Sequence, residues 1–170
     1  MADKKSSDEN SRKHRAGEHA VELPFDRSVG YQVRLTHRLI QRYLQQKIEP
    51  HGVTLGMWYF LRALWETDGL TQRELSTIVG TMEPTTLTAI KAMERDGIVT
   101  RVRNEDDRRK INIHLTKRGR ELKKELLPLA REVVSTAVLN FAPDDQDTLL
   151  RLLNTIQNNL IPRIDGKTET

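Results

Sequence analysis

The chain of 170 residues carries 28 Lys and Arg against 24 Asp and Glu, a net charge of +4 with a pI near 9.5, which suits an anionic partner. It has no cysteine, which excludes disulfides, thiolate metal sites and thiol redox sensing. With 36% hydrophobic and 31% charged residues the core is lean, which favours one domain with appended helices, elongated or dimeric, over a compact monomer.

Residues 1–22 are polar and free of aromatics, and read as a disordered tail. Arg12, Lys13, His14 and Arg15 in it can touch phosphates, although a solvated tail is the simpler reading. The tail lacks the apolar stretch of a signal peptide, and no run approaches the ~20 residues of a membrane span, so a cytoplasmic protein is expected. From Ser28, a helical period through Val29, Val33, Leu35, Leu39, Ile40, Tyr43, Leu44 and Ile48 predicts a long helix that Pro50 and Gly52 break. Thr54 is placed to cap a second helix with Trp58, Leu61, Leu64 and Trp65 on one stripe, ended by Asp68-Gly69.

Thr71 and Glu74 form a capping box that opens a short helix to Val79. Gly80 makes a turn, and Pro84 sits near the start of the next helix, where its missing N–H costs nothing. That helix runs to about Asp96 and is stopped by Gly97, which completes a helix-turn-helix pattern. Thr86, Ala89, Ile90 and Met93 share the core face, and Thr85, Leu87, Thr88 and Lys91 project elsewhere. Hydroxyls and methyl groups near a helix start suit base edges, with a threonine or leucine methyl able to meet a thymine methyl. Gln72, Arg73 and Ser76 on the preceding helix are then expected near phosphates.

Two strands follow, Ile98 to Arg103 and Ile111 to Leu115, joined by the charged turn NEDDRRK. In the second strand Ile111, Ile113 and Leu115 alternate with Asn112 and His114, the period of a half-buried strand. Arg108, Arg109 and Lys110 stand at the tip of this hairpin. Between Gly80 and Arg120, ten Lys and Arg face six Asp and Glu, so this window holds the whole net charge. A helix-turn-helix followed by a cationic hairpin is the order of a winged helix, whose wing carries cations to a DNA groove. After the hairpin, Thr116 is placed to cap a long helix, 117 to about 140, with Leu122, Leu126, Leu129, Val133 and Ala137 at near-heptad spacing and a kink expected at Pro128. Pro143, Asp144, Asp145 and Asp147 open a last helix with an apolar face of Leu149, Leu152, Leu153, Ile156, Leu160 and Ile161.

The wing sequence Asp107-Arg108-Arg109-Lys110-Ile111-Asn112-Ile113-His114-Leu115-Thr116, placed after LTQREL and PTTLTAIKAMERDGIV, closely resembles the MarR family, the multiple-antibiotic-resistance regulators. The resemblance covers roughly residues 28–162. It implies a mainly α fold with a small β-hairpin wing: a winged helix-turn-helix flanked by long N- and C-terminal dimerisation helices. The implied division is a polar tail at 1–22, a dimerisation helix at 23–52, the DNA-binding region at 53–116, dimerisation helices at 117–164 and a frayed end at 165–170. It further implies that Asp107 and Arg109 brace the wing through an ion pair, and that Arg108 enters the minor groove, where negative potential is enhanced. The chain departs from the family pattern twice. Thr88 stands where Arg is frequent, and Met82 where a Ser N-cap is frequent, so Thr81 or Glu83 is expected to cap instead.

Many members of the family release DNA when a small aromatic acid binds. Arg34, His37 and Arg38 on the first helix, with Met57, Trp58, Tyr59, Leu61 and Trp65 on the second, are residues suited to such a ligand. Trp58 and Trp65 are equally suited to be plain core. The resemblance therefore points to a regulator, by habit a repressor, that binds an inverted-repeat operator on double-stranded DNA as a homodimer and is released by an aromatic acid or a related acyl thioester. One alternative is a zinc-responsive regulator using His37, His51 and His114, although no clustered ligand motif is present. Another is a constitutive DNA-binding or interaction protein without an effector. No Gly-rich phosphate loop, Gly-x-Ser-x-Gly or His-Glu-x-x-His occurs, so no enzyme, cofactor or resident metal is expected.

Overall fold

Pro50, Gly80 and Gly97 punctuate the chain where helical periods stop, and a helix ends just before each. The computed structural model describes residues 24–105 and 107–164. The expected tails, including Arg12, Lys13, His14 and Arg15, lie outside the described residues. The elements are a 3-10 turn at Phe25–Arg27, α1 (Val29–Ile48), a second 3-10 turn at Glu49–His51, α2 (Leu55–Glu66), β1 (Leu70–Thr71), α3 (Gln72–Val79), α4 (Glu83–Arg95), β2 (Val99–Arg103), β3 (Ile111–Leu115), α5 (Lys117–Ala137) and α6 (Asp145–Ile164). The fold is mainly helical with a small antiparallel sheet, ordered β1-β3-β2. Among the described residues no helix is long and apolar enough to cross a membrane.

The chain divides into two units, residues 1–38 and 39–170. In the first, Phe25 packs its ring 4.8 Å from that of Tyr31, and Gln32 Nε2 donates to the Asp26 carbonyl at 3.1 Å. These contacts turn the chain into the start of α1.

In the second unit, Leu44, Ile48, Leu61, Leu64, Leu75, Ile90, Met93, Ile113, Leu122 and Leu126 form the centre of one core. Thr54 occupies the N-cap of α2, but its side chain makes no capping bond. Gln45 takes that role from α1, its Oε1 accepting from Leu55 N at 2.9 Å. A cap supplied by another helix leaves no local signature in the sequence. The two-residue β1 is also absent from the sequence reading, because it is too short to show a period. It exists because Leu70 and Thr71 pair with Ile113 and Asn112 of β3. Pro128 lies inside α5, which ends at Ala137. Asn140, at φ 72, then leaves the helical region. The apolar face of α6 is open to solvent in the single chain: Leu149, Leu152, Leu160 and Ile161 are each more than a third exposed.

Two junctions hold the sheet to α2 and α5. The Trp65 indole donates to the Gly119 carbonyl at 2.9 Å in the interior. Gly119 lies so close to β2 that a Cβ there would stand 2.3 Å from the Ile98 carbonyl oxygen. Asp68 Oδ1 accepts from Leu115 N at 2.8 Å and Gly69 N at 3.0 Å, while Arg120 Nη1 lies 3.5 Å from Asp68 Oδ2. The base of the wing is thereby tied to the end of α2 and the start of α5.

Candidate nucleic-acid interface

Helix α3 begins at the capping box. Glu74 N donates to Thr71 Oγ1 at 3.3 Å, and Thr71 N donates to Glu74 Oε2 at 2.7 Å. The Thr71 backbone N–H, with the Thr71 hydroxyl second, holds the Glu74 carboxyl below the usual carboxylate range. Gly80, at φ 70, ends the helix in the left-handed region and turns the chain toward α4.

Met82 is the N-cap of α4 and makes no side-chain capping bond. The expectation that Thr81 or Glu83 caps this helix is therefore corrected. The Thr81 hydroxyl instead lies 2.9 Å from the hydroxyl of Thr86, and Pro84 presets the first turn. Thr86 is fully buried. Its hydroxyl lies 2.8 Å from Ser76 Oγ and donates to the Met82 carbonyl at 3.3 Å. Three hydroxyls from α3, the turn and α4 thus fix the angle between the two helices. Ser76 is used up here, turned inward rather than toward phosphate. Thr86→Val, nearly isosteric, is expected to lower stability by about 1 kcal/mol, since it removes the bonds of the Thr86 hydroxyl while Ser76 Oγ keeps the Gln72 carbonyl at 2.9 Å. A thermal melt at fixed concentration reads this, and an unchanged midpoint would mean the hydroxyl cluster carries no weight.

On the opposite face of α4, Thr85, Thr88 and Lys91 are exposed and Leu87 is half-buried. The Thr88 hydroxyl donates to the Pro84 carbonyl at 3.0 Å. Across the turn, Arg73 is exposed, and half-buried Gln72 reaches the Glu83 carbonyl with its Nε2 at 3.4 Å. A cleft of about 690 Å³ runs between α3 and the wing, bordered by Arg73, Glu74, Ile78, Glu83, Arg109 and Lys110. Four of the expected DNA-binding residues, Gln72, Arg73, Arg109 and Lys110, border this one cleft.

The wing is an antiparallel hairpin with Val99 opposite Leu115 and Arg103 opposite Ile111. Arg108, Arg109 and Lys110 at its tip are exposed. Arg109 Nε lies 3.2 Å from Asp107 Oδ1, and Arg109 N donates to the same oxygen at 3.1 Å. The Arg109 guanidinium, and after it the Arg109 backbone N–H, hold the Asp107 carboxyl below the usual range. Two asparagines missed in the sequence extend this brace inward. Asn104 Oδ1 accepts from Asp107 N at 2.8 Å, Asn104 Nδ2 donates to Asn112 Oδ1 at 3.0 Å, and Asn112 Nδ2 donates to the Gly69 carbonyl at 2.7 Å. Asparagine in a charged turn reads as ordinary turn chemistry. Only the pairing of β2 with β3 brings Asn104 to Asn112.

Of the residues suited to an effector, Met57, Trp58, Leu61 and Trp65 are buried in the core of the second unit. The Trp58 and Trp65 rings meet edge to face at 5.8 Å. Arg34 and Arg38 border a small cleft of about 190 Å³ with Tyr31 and Leu35 in the first unit. His37 is exposed on α1. His51 bonds Glu125 through Nδ1 at 2.9 Å, and His114 Nδ1 lies 4.0 Å from Asp68 Oδ1. Among the described residues no three His, Cys, Asp or Glu side chains gather as a metal site.

Residues 53–111 match the family model described as the MarR family. An HTH-type transcriptional regulator of Bacillus subtilis (strain 168) is 26% identical over 127 residues, which cover 75% of this chain and 92% of that protein. The homoprotocatechuate degradative operon repressor of Escherichia coli is 27% identical over 111 residues, covering 65% of this chain and 75% of the relative. Among solved structures, a MarR transcriptional regulator from Methanosarcina mazei Go1 shares the fold at a TM-score of 0.73, with 29% identity over 78% of this chain and 96% of its own.

Proposed function

We propose that this chain, whose residues 53–111 match the MarR family model, is a DNA-binding transcriptional regulator of that family, and that it is a homodimeric repressor released by a small aromatic acid or a related acyl thioester. The observation that carries the DNA contact is the shared platform of helix and wing. The exposed Thr85, Thr88 and Lys91 of α4 and the exposed Arg108, Arg109 and Lys110 of the wing tip are anchored to one α3–β1 segment. A rigid platform lets base contacts and phosphate contacts form together, since the entropy of ordering them is lost on folding rather than on binding. The exposed apolar face of α6 supports dimerisation, because monomers rarely leave such a row uncovered. A two-fold dimer would place its recognition helices in successive major grooves about 34 Å apart, on an inverted repeat.

The aromatic effector rests on two supports. The Escherichia coli relative represses an operon for degrading homoprotocatechuate, an aromatic acid. Arg34 and Arg38 border a cleft beside the Tyr31 ring, and guanidinium groups pair with carboxylates. Release requires that the effector bind the DNA-incompetent state more tightly, by as much as it shifts the equilibrium. The burial of Met57, Trp58, Leu61 and Trp65 favours a second reading, a regulator with no small-molecule effector.

The test is binding of the purified protein to the DNA upstream of its own gene, at several salt concentrations, with and without a panel of aromatic acids and their thioesters. Salt-sensitive binding released by one compound supports the effector reading. Binding that no compound disturbs selects the second reading. No binding at moderate salt overturns the operator assignment.

A further inference from the structure

The recognition helix carries an acid where DNA must approach. Glu83 is the first residue of α4, is exposed, and borders the cleft with Arg73, Arg109 and Lys110. Its backbone carbonyl is used by Gln72, but no described residue pairs with its carboxylate. An unpaired carboxylate facing a phosphate backbone is repelled by it, and a specific donor on the DNA offsets that. In the major groove such donors are the exocyclic amino groups, N4 of cytosine and N6 of adenine.

The rest of the exposed face agrees. The proton of the Thr88 hydroxyl is given to the Pro84 carbonyl, so outward it can only accept. Met82 and Leu87 offer apolar surface beside it. The first side chain on α4 with a strong donor is Lys91, two turns into the helix. Guanine, recognised through its O6 and N7 acceptors, finds no cation on the first turn, where the exposed Thr85 hydroxyl is the one side-chain donor left to it.

We propose that Glu83 is a specificity-determining residue, whose carboxylate accepts a hydrogen bond from a base amino group in the major groove, and that it thereby selects cytosine or adenine at the position it faces. The proposal rests on the DNA-binding reading above.

The experiment is selection of duplexes from a randomised library by the full-length protein and by Glu83→Gln and Glu83→Ala. Competition measurements on four duplexes that differ only at the position most changed between the profiles then follow. The wild type is expected to favour cytosine or adenine at one position in each half-site, by about 5- to 150-fold over the disfavoured bases. Which of the two wins separates the cytosine contact from the adenine contact. Glu83→Gln, which keeps the shape and adds a donor, should admit guanine or shift the preference toward adenine. Glu83→Ala should lose the preference while binding random duplex more tightly. Coincident profiles for wild type and Glu83→Ala, with both proteins folded by circular dichroism, would overturn the proposal and leave Glu83 a helix-start charge. A wild type that binds no duplex at low salt removes the DNA-binding reading, and this proposal with it.

Discussion

Replacing Arg108, Arg109 and Lys110 together with alanine should flatten the dependence of log binding constant on log salt by about 2.7 per wing, about 5.4 for a dimer with both wings engaged, because each phosphate left without its cation takes about 0.9 from the slope. The three cations stand exposed at the tip of a short hairpin, so nothing in the core depends on them. Stability should change by no more than ~0.5 kcal/mol. The single change Arg108→Ala should flatten the slope by about 0.9 per wing and weaken all sequences alike. The pair Asp107–Arg109 predicts a second distinction. Asp107→Ala removes no cation and keeps the backbone bond to Asn104, yet it frees the Arg109 guanidinium and backbone N–H, so affinity should fall with little change in slope. Titrations of one duplex at four salt concentrations separate the two effects. A triple variant with the wild-type slope would take the wing out of the DNA interface.

Among the described glycines, Gly119 meets the closest contact for an added Cβ, and Gly119→Ala should be strongly destabilising. The added Cβ would stand 2.3 Å from the Ile98 carbonyl oxygen and 3.0 Å from Leu115 Cδ2. A backbone oxygen cannot rotate away, so β2 or α5 must shift. That shift would disturb the Trp65 indole bond to the Gly119 carbonyl and the Thr116 N bond to the Ile98 carbonyl, each about 3 Å. Overpacking of a dense interior costs about 1–3 kcal/mol, and a weakened buried hydrogen bond adds about 1 kcal/mol. A loss of roughly 3 kcal/mol corresponds to a midpoint lowered by about 6–12 °C for a domain of this size. Melts must be compared at one protein concentration, because association shifts the midpoint. A wild-type midpoint would mean that α5 and β2 part without cost and that this junction does not hold the sheet.

Much of the site was legible. The Thr71–Glu74 box, Gly80, Pro84 and Gly97 mark the helix-turn-helix, and the alternation of Ile111, Ile113 and Leu115 marks the second wing strand. These are local signals: a capping bond spans three residues, and a strand face repeats every two. The basic tip was legible for the same reason, as a run of charges in a turn. The inward turn of Ser76 was not, because its partner Thr86 is ten residues away and the bond depends on the crossing of α3 and α4.

By itself, then, the chain determined the order of α1 to α6 and of the two wing strands, most of its helix boundaries, the face of its second wing strand and the place of its cations, since each depends on neighbours within about one turn or one pleat. Tertiary structure alone decided that Gln45 caps α2, that Leu70 and Thr71 become a strand, that Asn104 and Asn112 brace the wing, and that Trp65 is spent on Gly119. Those contacts join residues 8 to 54 positions apart. A donor or acceptor at such a distance finds its partner only once the core has set the helices and the sheet in place.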